Sequence, residues 1–169
     1  QPEKTPRVNP FRIDEAVYLV VLLGYGYAQI NKTEREKFAI LNDGYLTSLP
    51  NLLCIFVLVD ARIAPQKRDL DFMCKLGELW LPFIIVYTKT EKLSGPKLQA
   101  SIDNYRTTLL EEWEEAPQFF ITSAITSAGR EDILSFIRPL NESYINIKKL
   151  QQGEVFFSHL HFHSLPFTE

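Results

Sequence analysis

The 169-residue sequence has few cysteines, no excess of positive charge and no long apolar run, and each lack removes a class of protein. Cys54 and Cys74 are its two cysteines. They do not form a C-x-x-C pair, so neither a disulfide scaffold nor a zinc site is indicated, and two reduced thiols fit a cytosolic protein. Eighteen Lys and Arg against 21 Asp and Glu leave a net charge of −3. No global basic field therefore points to DNA or to an anionic membrane, and any RNA contact needs a local patch. No apolar run approaches the ~18 residues of a transmembrane helix. The first ten residues, QPEKTPRVNP, are polar and Pro-rich and have no signal-peptide pattern. No Ser-His-Asp or Cys-His arrangement stands out, so no catalytic nucleophile is assigned. Also missing is G-x-x-x-x-G-K-[ST], the loop whose backbone N–H groups, lysine and hydroxyl cradle nucleotide phosphates. The expectation is a soluble cytoplasmic protein, monomeric, with no DNA or membrane partner.

What is present is an ordinary globular composition, 46% hydrophobic and 23% charged. A chain of this size suits one domain that buries roughly 70% of its unfolded surface. Apolar runs and helical patterns alternate along it. Ala16 to Leu23 reads as a strand buried on both faces and ends at Gly24. Thr33-Glu34-Arg35-Glu36 has the form of a capping box, opening a helix to about Tyr45. Leu52 to Asp60 is a second strand, Lys67 to about Trp80 a helix, Pro82 to Thr88 a third strand. Leu98, Ile102, Tyr105, Leu109 and Trp113 mark one face of a long helix, which makes Trp113 a core residue. QFFITSA is a fourth strand, and Ile133, Ile137, Leu140 and Tyr144 mark a last helix. Strands separated by single amphipathic helices imply right-handed crossovers, and hence an α/β doubly wound fold with a mostly parallel sheet and helices on both faces.

In such sheets ligands bind at the carboxyl ends of the strands. Those ends carry Gly24-Tyr25-Gly26-Tyr27, Asp60-Ala61-Arg62, Thr88-Lys89-Thr90-Glu91 and Thr122-Ser123-Ala124. A Thr-Lys-x-acid tetrapeptide after a buried strand can lay a lysine stem along a purine and offer a carboxylate to the N–H groups of a guanine edge. The Thr-Ser-Ala turn can offer a backbone N–H to the guanine carbonyl. Asp60-Ala61-Arg62 reads as an ion-paired strand end. Gly24-Tyr25-Gly26-Tyr27 has two readings, a tight turn with glycines at positive φ or a mobile loop facing a ligand. His159, His161 and His163 alternate in a strand-like register, and a tail without metal is favoured because no carboxylate or cysteine accompanies them.

Taken in order, these motifs resemble the EngB (YihA/YsxC) family of translation-factor-type GTPases. VVLLGYGYA is similar to the family's switch II signature, Val-Asp-Leu-Pro-Gly-Tyr-Gly-Tyr-Ala, and the stretch from FVLVDARIAPQ through VYTKTEKL to the segment around the guanine motif. TSA resembles the base-contacting turn, and QPEKTPRVNPFRID a worn switch I. The resemblance covers about residues 1–144, as a P-loop GTPase-like domain lacking the first strand and phosphate loop, with 145–169 as a tail. It implies GTP or GDP with Mg²⁺ and, as partner, the large ribosomal subunit or its precursor. Under it, Lys4 and Thr5 belong to switch I, with Thr5 on Mg²⁺, and the Gly24 N–H meets the γ-phosphate. Thr88, Lys89 and Glu91 form the guanine motif, backed by Thr122, Ser123 and Ala124. Val21 stands where the family has the magnesium-holding aspartate, Leu23 where it has proline, Glu91 where it has the guanine-reading aspartate, and Glu3 where switch I has glycine. The absent first strand would leave the strands ending at Leu23 and Asp60 each with an open edge. Two readings follow: a nucleotide-dependent switch in large-subunit assembly, or a degenerate GTPase-fold module that docks a partner without nucleotide.

Overall fold

Strand β1 (Asn9–Ile13) and strand β2 (Val17–Val21) pair antiparallel, from Asn9 opposite Val21 to Ile13 opposite Val17. They form a two-stranded sheet in the computed structural model, which describes residues 9–13, 17–21, 46 and 51–151. Leu19 and Val21 are exposed. The apolar run is thus a strand, but one arm of a hairpin rather than a strand covered on both faces. A two-stranded ribbon has no second layer over each face, so alternate apolar positions stay in solvent.

The second sheet has the order β3 (Ile55–Asp60), β4 (Phe83–Thr88), β5 (Phe119–Ile121), all parallel. Helices make the crossovers. Helix α1 (Lys67–Glu78) carries Asp69 in its first turn and Lys75 in its last, where each complements the helix dipole. Its Leu70, Met73 and Leu76 recur at helical spacing and enter the core. Helix α2 (Gly95–Leu109) opens with Pro96 in its first turn, where the missing N–H costs no helical bond, and buries Ile102, Tyr105 and Leu109. Helix α3 (Arg130–Gln151) begins with Glu131 and Asp132.

Strand alternation sorts these layers. Val57, Val59, Ile85 and Tyr87 point to the cluster that contains Met73 and Leu76 of α1 and Ile102, Tyr105 and Leu109 of α2. Tyr87 meets Tyr105 edge-on at 5.5 Å. On the other face Phe136 of α3 packs edge-on against Phe56 and Phe120, at 6.2 and 5.7 Å. Helices therefore cover both faces of a parallel sheet, as the alternating pattern predicts.

Two helix ends differ from the sequence reading. Helix α2 ends at Leu109, so Trp113 lies beyond it; its ring is half-buried and meets Phe83 at 5.5 Å. Helix α3 continues past position 144 to Gln151, sustained locally by Lys148 over the Tyr144 ring at 5.1 Å. The open edge expected for the strand ending at Asp60 is present: among the described residues β3 has a strand partner only in β4, and Leu58 on that strand is 66% exposed. The helix read over residues 33–45 and the histidines of the tail lie outside the described residues.

Candidate nucleotide-base site at the carboxyl ends of the strands

Parallel register brings the ends of β3 and β4 level, with Asp60 opposite Thr88. The next residue, Lys89, adopts a left-handed conformation (φ 59°, ψ 30°), and the chain turns at once into a 3₁₀ turn, Thr90–Lys92. That turn is closed by the Lys92 N–H to the Lys89 carbonyl at 3.0 Å and the Leu93 N–H to the Thr90 carbonyl at 3.1 Å. A non-glycine residue in this conformation is uncommon and marks a constrained position. Here the constraint swings Lys89 back over the end of β3.

Asp60 collects the cations at this corner. It accepts the Arg62 Nε at 2.9 Å and Nη2 at 2.7 Å, the Arg62 backbone N–H at 3.1 Å, and the Lys89 Nζ at 2.9 Å. Its side chain is 14% exposed, against 45% for Arg62 and 54% for Lys89. The Arg62 guanidinium and then Lys89, working against burial, hold the Asp60 carboxyl well below the usual carboxylate range. The ion-paired strand end expected from the sequence is present, with Lys89 as an added partner.

Hydroxyls tie the neighbouring loops together. Thr88 Oγ1 donates to the Val59 carbonyl and Thr122 Oγ1 to the Tyr87 carbonyl, both at 2.9 Å. Thr90 Oγ1 donates to the Thr122 carbonyl at 2.9 Å, and Thr90 is buried. Thr88 and Thr122, read from the sequence as site residues, thus serve as braces under the loop. Ser123 is buried; its N–H donates to the Ala128 carbonyl at 3.1 Å and its Oγ accepts the Thr126 N–H at 3.1 Å. The loop returns through Gly129 at φ +72°, where a Cβ would run into the carbonyl oxygen of Ile121.

Glu91 faces this turn. The Ser123 hydroxyl, and after it Glu91's own backbone N–H, hydrogen-bond the carboxylate and lower its pKa from the ordinary value. Its Oε2 is shut off from solvent and has no hydrogen-bond partner among the described residues. A buried carboxylate oxygen without a donor is costly, so it marks a place where a donor belongs. Ala124, next to Ser123, is exposed, and its N–H makes no hydrogen bond among the described residues. Lys89, Glu91, Ser123 and Ala124 are therefore gathered at one corner, offering an alkyl stem, a carboxylate oxygen with unused acceptor capacity and an exposed backbone donor. That set suits one edge and one face of a purine base.

Two features of this corner escaped the sequence reading. The left-handed Lys89 has no local signal. The Gly129 return does, since a glycine closing the Thr-Ser-Ala turn is where positive φ is expected. Lys4, Thr5 and Gly24 lie outside the described residues. Magnesium does not fit the described residues: Val21, on β2, offers no oxygen donor, and no group of three His, Cys, Asp or Glu that could hold a metal is found among them.

A three-layer α/β sheet with a polar corner at its carboxyl end has the fold of the GTPase kind. A crystal structure of a probable GTP-binding protein EngB superposes with a TM-score of 0.67, covering 81% of this chain and 83% of that one, at 18% identity, which speaks for the fold alone. No family model matches the sequence. Sequence relatives settle the family. A probable GTP-binding protein EngB of Christiangramia forsetii is 42% identical over 143 residues, 85% of this chain and 72% of the relative. That of Porphyromonas gingivalis is 43% identical over 142 residues, 84% and 71% respectively. The chain belongs to the EngB family of GTP-binding proteins.

Proposed function

We propose that this chain binds the base of a guanine nucleotide at the corner formed by Lys89, Glu91, Ser123 and Ala124. The single observation that carries the reading is the buried, unpartnered Oε2 of Glu91 beside the exposed Lys89 stem. A guanine edge presents N–H donors to a carboxylate and a carbonyl oxygen to a backbone N–H; the Ala124 N–H is exposed, and a rotation of the Glu91 side chain brings its unused Oε2 to the base. Adenine presents no such donor pair in that arrangement. Thr88 and Thr122 keep the loop in place. Lys4, Thr5 and Gly24 are assigned to the phosphates by family resemblance, and Mg²⁺ enters only as the counter-ion of the nucleotide's own phosphates. The same resemblance assigns GTP-dependent action on the large ribosomal subunit or its precursor, in the cytoplasm.

Titration of the full chain with a fluorescent GDP analogue tests the base site. Saturable binding displaced by GDP and not by ADP is expected. Equal displacement by both would remove guanine recognition, and no binding would leave the fold without its nucleotide. Co-sedimentation with purified large ribosomal subunits tests the partner, with retention in the subunit fraction as the expected result.

One observation favours a second reading. Val21 in place of a metal-holding acid, on a strand whose apolar side chain is exposed, suits a domain that docks a partner without coordinating nucleotide phosphates. Absence of guanine binding with retained subunit binding would establish it.

A further inference from the structure

At the opposite end of the sheet, where β4 and β5 begin, Trp80 is 92% exposed and has φ 54°. Helix α1 ends there in a Schellman arrangement: the Leu81 N–H reaches the Leu76 carbonyl at 2.9 Å and the Trp80 N–H the Gly77 carbonyl at 2.9 Å. The position that must be left-handed in this motif ordinarily holds glycine. A side chain there costs about 1–2 kcal/mol. Trp80 thus gains nothing from burial and disfavours its own backbone. An observed strain of this kind, on the most exposed large apolar residue of the described chain, points to use by a partner.

The surroundings specify the partner's chemistry. Trp80 borders an open groove of about 550 Å³ with Gly77, Pro82, Phe83, Trp113 and Glu115 in its wall. Glu115 lines this groove, and two further exposed glutamates lie close by in the chain, Glu78 two residues before Trp80 and Glu114 beside Glu115. Glu111 and Glu112 line a second groove that shares Trp113, where Lys67 is already paired with Asp71. Two indole rings beside these carboxylates attract a cation with a flat, weakly hydrated face, and guanidinium is that group. The same carboxylates repel nucleic-acid phosphates and anionic lipid.

We infer that the amino end of the sheet, centred on Trp80, docks an arginine-bearing basic segment of a protein partner, with the guanidinium stacked on the indole and the glutamates drawing in the remaining charge. This surface is separate from the base site and does not rest on it.

The test uses the full chain and a blocked decapeptide alternating Arg and Gly, read by tryptophan fluorescence. Saturable quenching that weakens with added salt is expected, with no response to the Glu-for-Arg peptide. Trp80→Gly is expected to raise the denaturation midpoint, since glycine suits the left-handed position, while lowering peptide affinity at least tenfold. Glu115→Gln keeps the fold and lowers affinity by a smaller factor. The inference is overturned if the Arg peptide does not bind, or if Trp80→Gly leaves binding intact. It is also overturned if Trp80→Gly destabilises the fold, if an oligo-uridine binds this face more tightly than the peptide, or if the variant only abolishes self-association seen by sedimentation.

Discussion

The two ends of the parallel sheet are built on different principles. At the carboxyl end, Asp60, Thr88, Lys89, Thr90, Glu91, Thr122 and Ser123 are joined by short hydrogen bonds and two ion pairs, so side-chain positions are fixed by directional contacts. At the amino end, Trp80, Phe83 and Trp113 present aromatic surface held only by packing, with Trp113 leaning on Phe83 at 5.5 Å. The contrast teaches why the two proposals differ: directional polar contacts suit the reading of a hydrogen-bond pattern, and packed aromatic surface suits flat apolar or cationic groups. The helices and the core between them keep the two apart.

The largest expected effect comes from disturbing the polar end at its return. Gly129→Ala puts a Cβ onto the Ile121 carbonyl oxygen at a positive φ. A loss of about 3 kcal/mol is expected from left-handed strain and backbone collision together, measured as a shift in the urea midpoint at unchanged slope. A loss under about 0.5 kcal/mol would mean that the Thr122–Gly129 loop is not anchored as described. At the apolar end, Gly77→Ala brings a Cβ to 2.7 Å from the Trp113 ring. The ring can give way, so about 1–2 kcal/mol is expected, as for overpacking, together with a shift in Trp emission. A stability loss without that shift would show that the strain is taken up elsewhere.

Smaller still is the contribution of the ion pairs, because Arg62 and Lys89 are about half exposed. Asp60→Asn is expected to cost about 1 kcal/mol at neutral pH. The sign with pH follows from the direction of the shifts. Asp60 and Glu91 are both more acidic in the folded chain than free. Their stabilisation is complete above the unfolded carboxylate pKa of about 4 and is lost as pH falls through the folded values. Denaturation midpoints taken from pH 7 downward should therefore fall below about pH 4, and fall less steeply in Asp60→Asn. A pH-independent midpoint would remove the electrostatic part of the contrast.

Much of the carboxyl end was legible because its information is local. A Thr-Lys-x-acid set and a Thr-Ser turn each follow an apolar run, and strand ends in a parallel sheet lie level. The Asp60–Arg62 pair is two residues apart and needs no fold to be guessed. What stayed hidden depends on distant partners. Asn9–Ile13 falls in the stretch that resembles a worn switch I, and it becomes a strand because Val17–Val21 pairs with it. The bond between Ser123 and Glu91 joins residues on separate loops. Past Tyr144 the apolar period leads to Ile147, which is 53% exposed, so the final turns of α3 carry no burial signal to find. Trp80 was read as the end of a helix face, and its exposure follows from a helix that stops two residues earlier. A sequence pattern reports which residues could be buried, and the cap geometry decides which of them are.

The central claim is that the carboxyl-end corner reads guanine through Glu91. Competition of GDP and IDP for a fluorescent GDP analogue, on the full chain and on Glu91→Gln, tests it most directly, since IDP lacks only the 2-amino donor. The account predicts that the unsubstituted chain prefers GDP by about tenfold, the equivalent of one lost charge-assisted hydrogen bond, and that Glu91→Gln erases the preference. Equal affinity for GDP and IDP in the unsubstituted chain, or a preference that survives in Glu91→Gln, would contradict it.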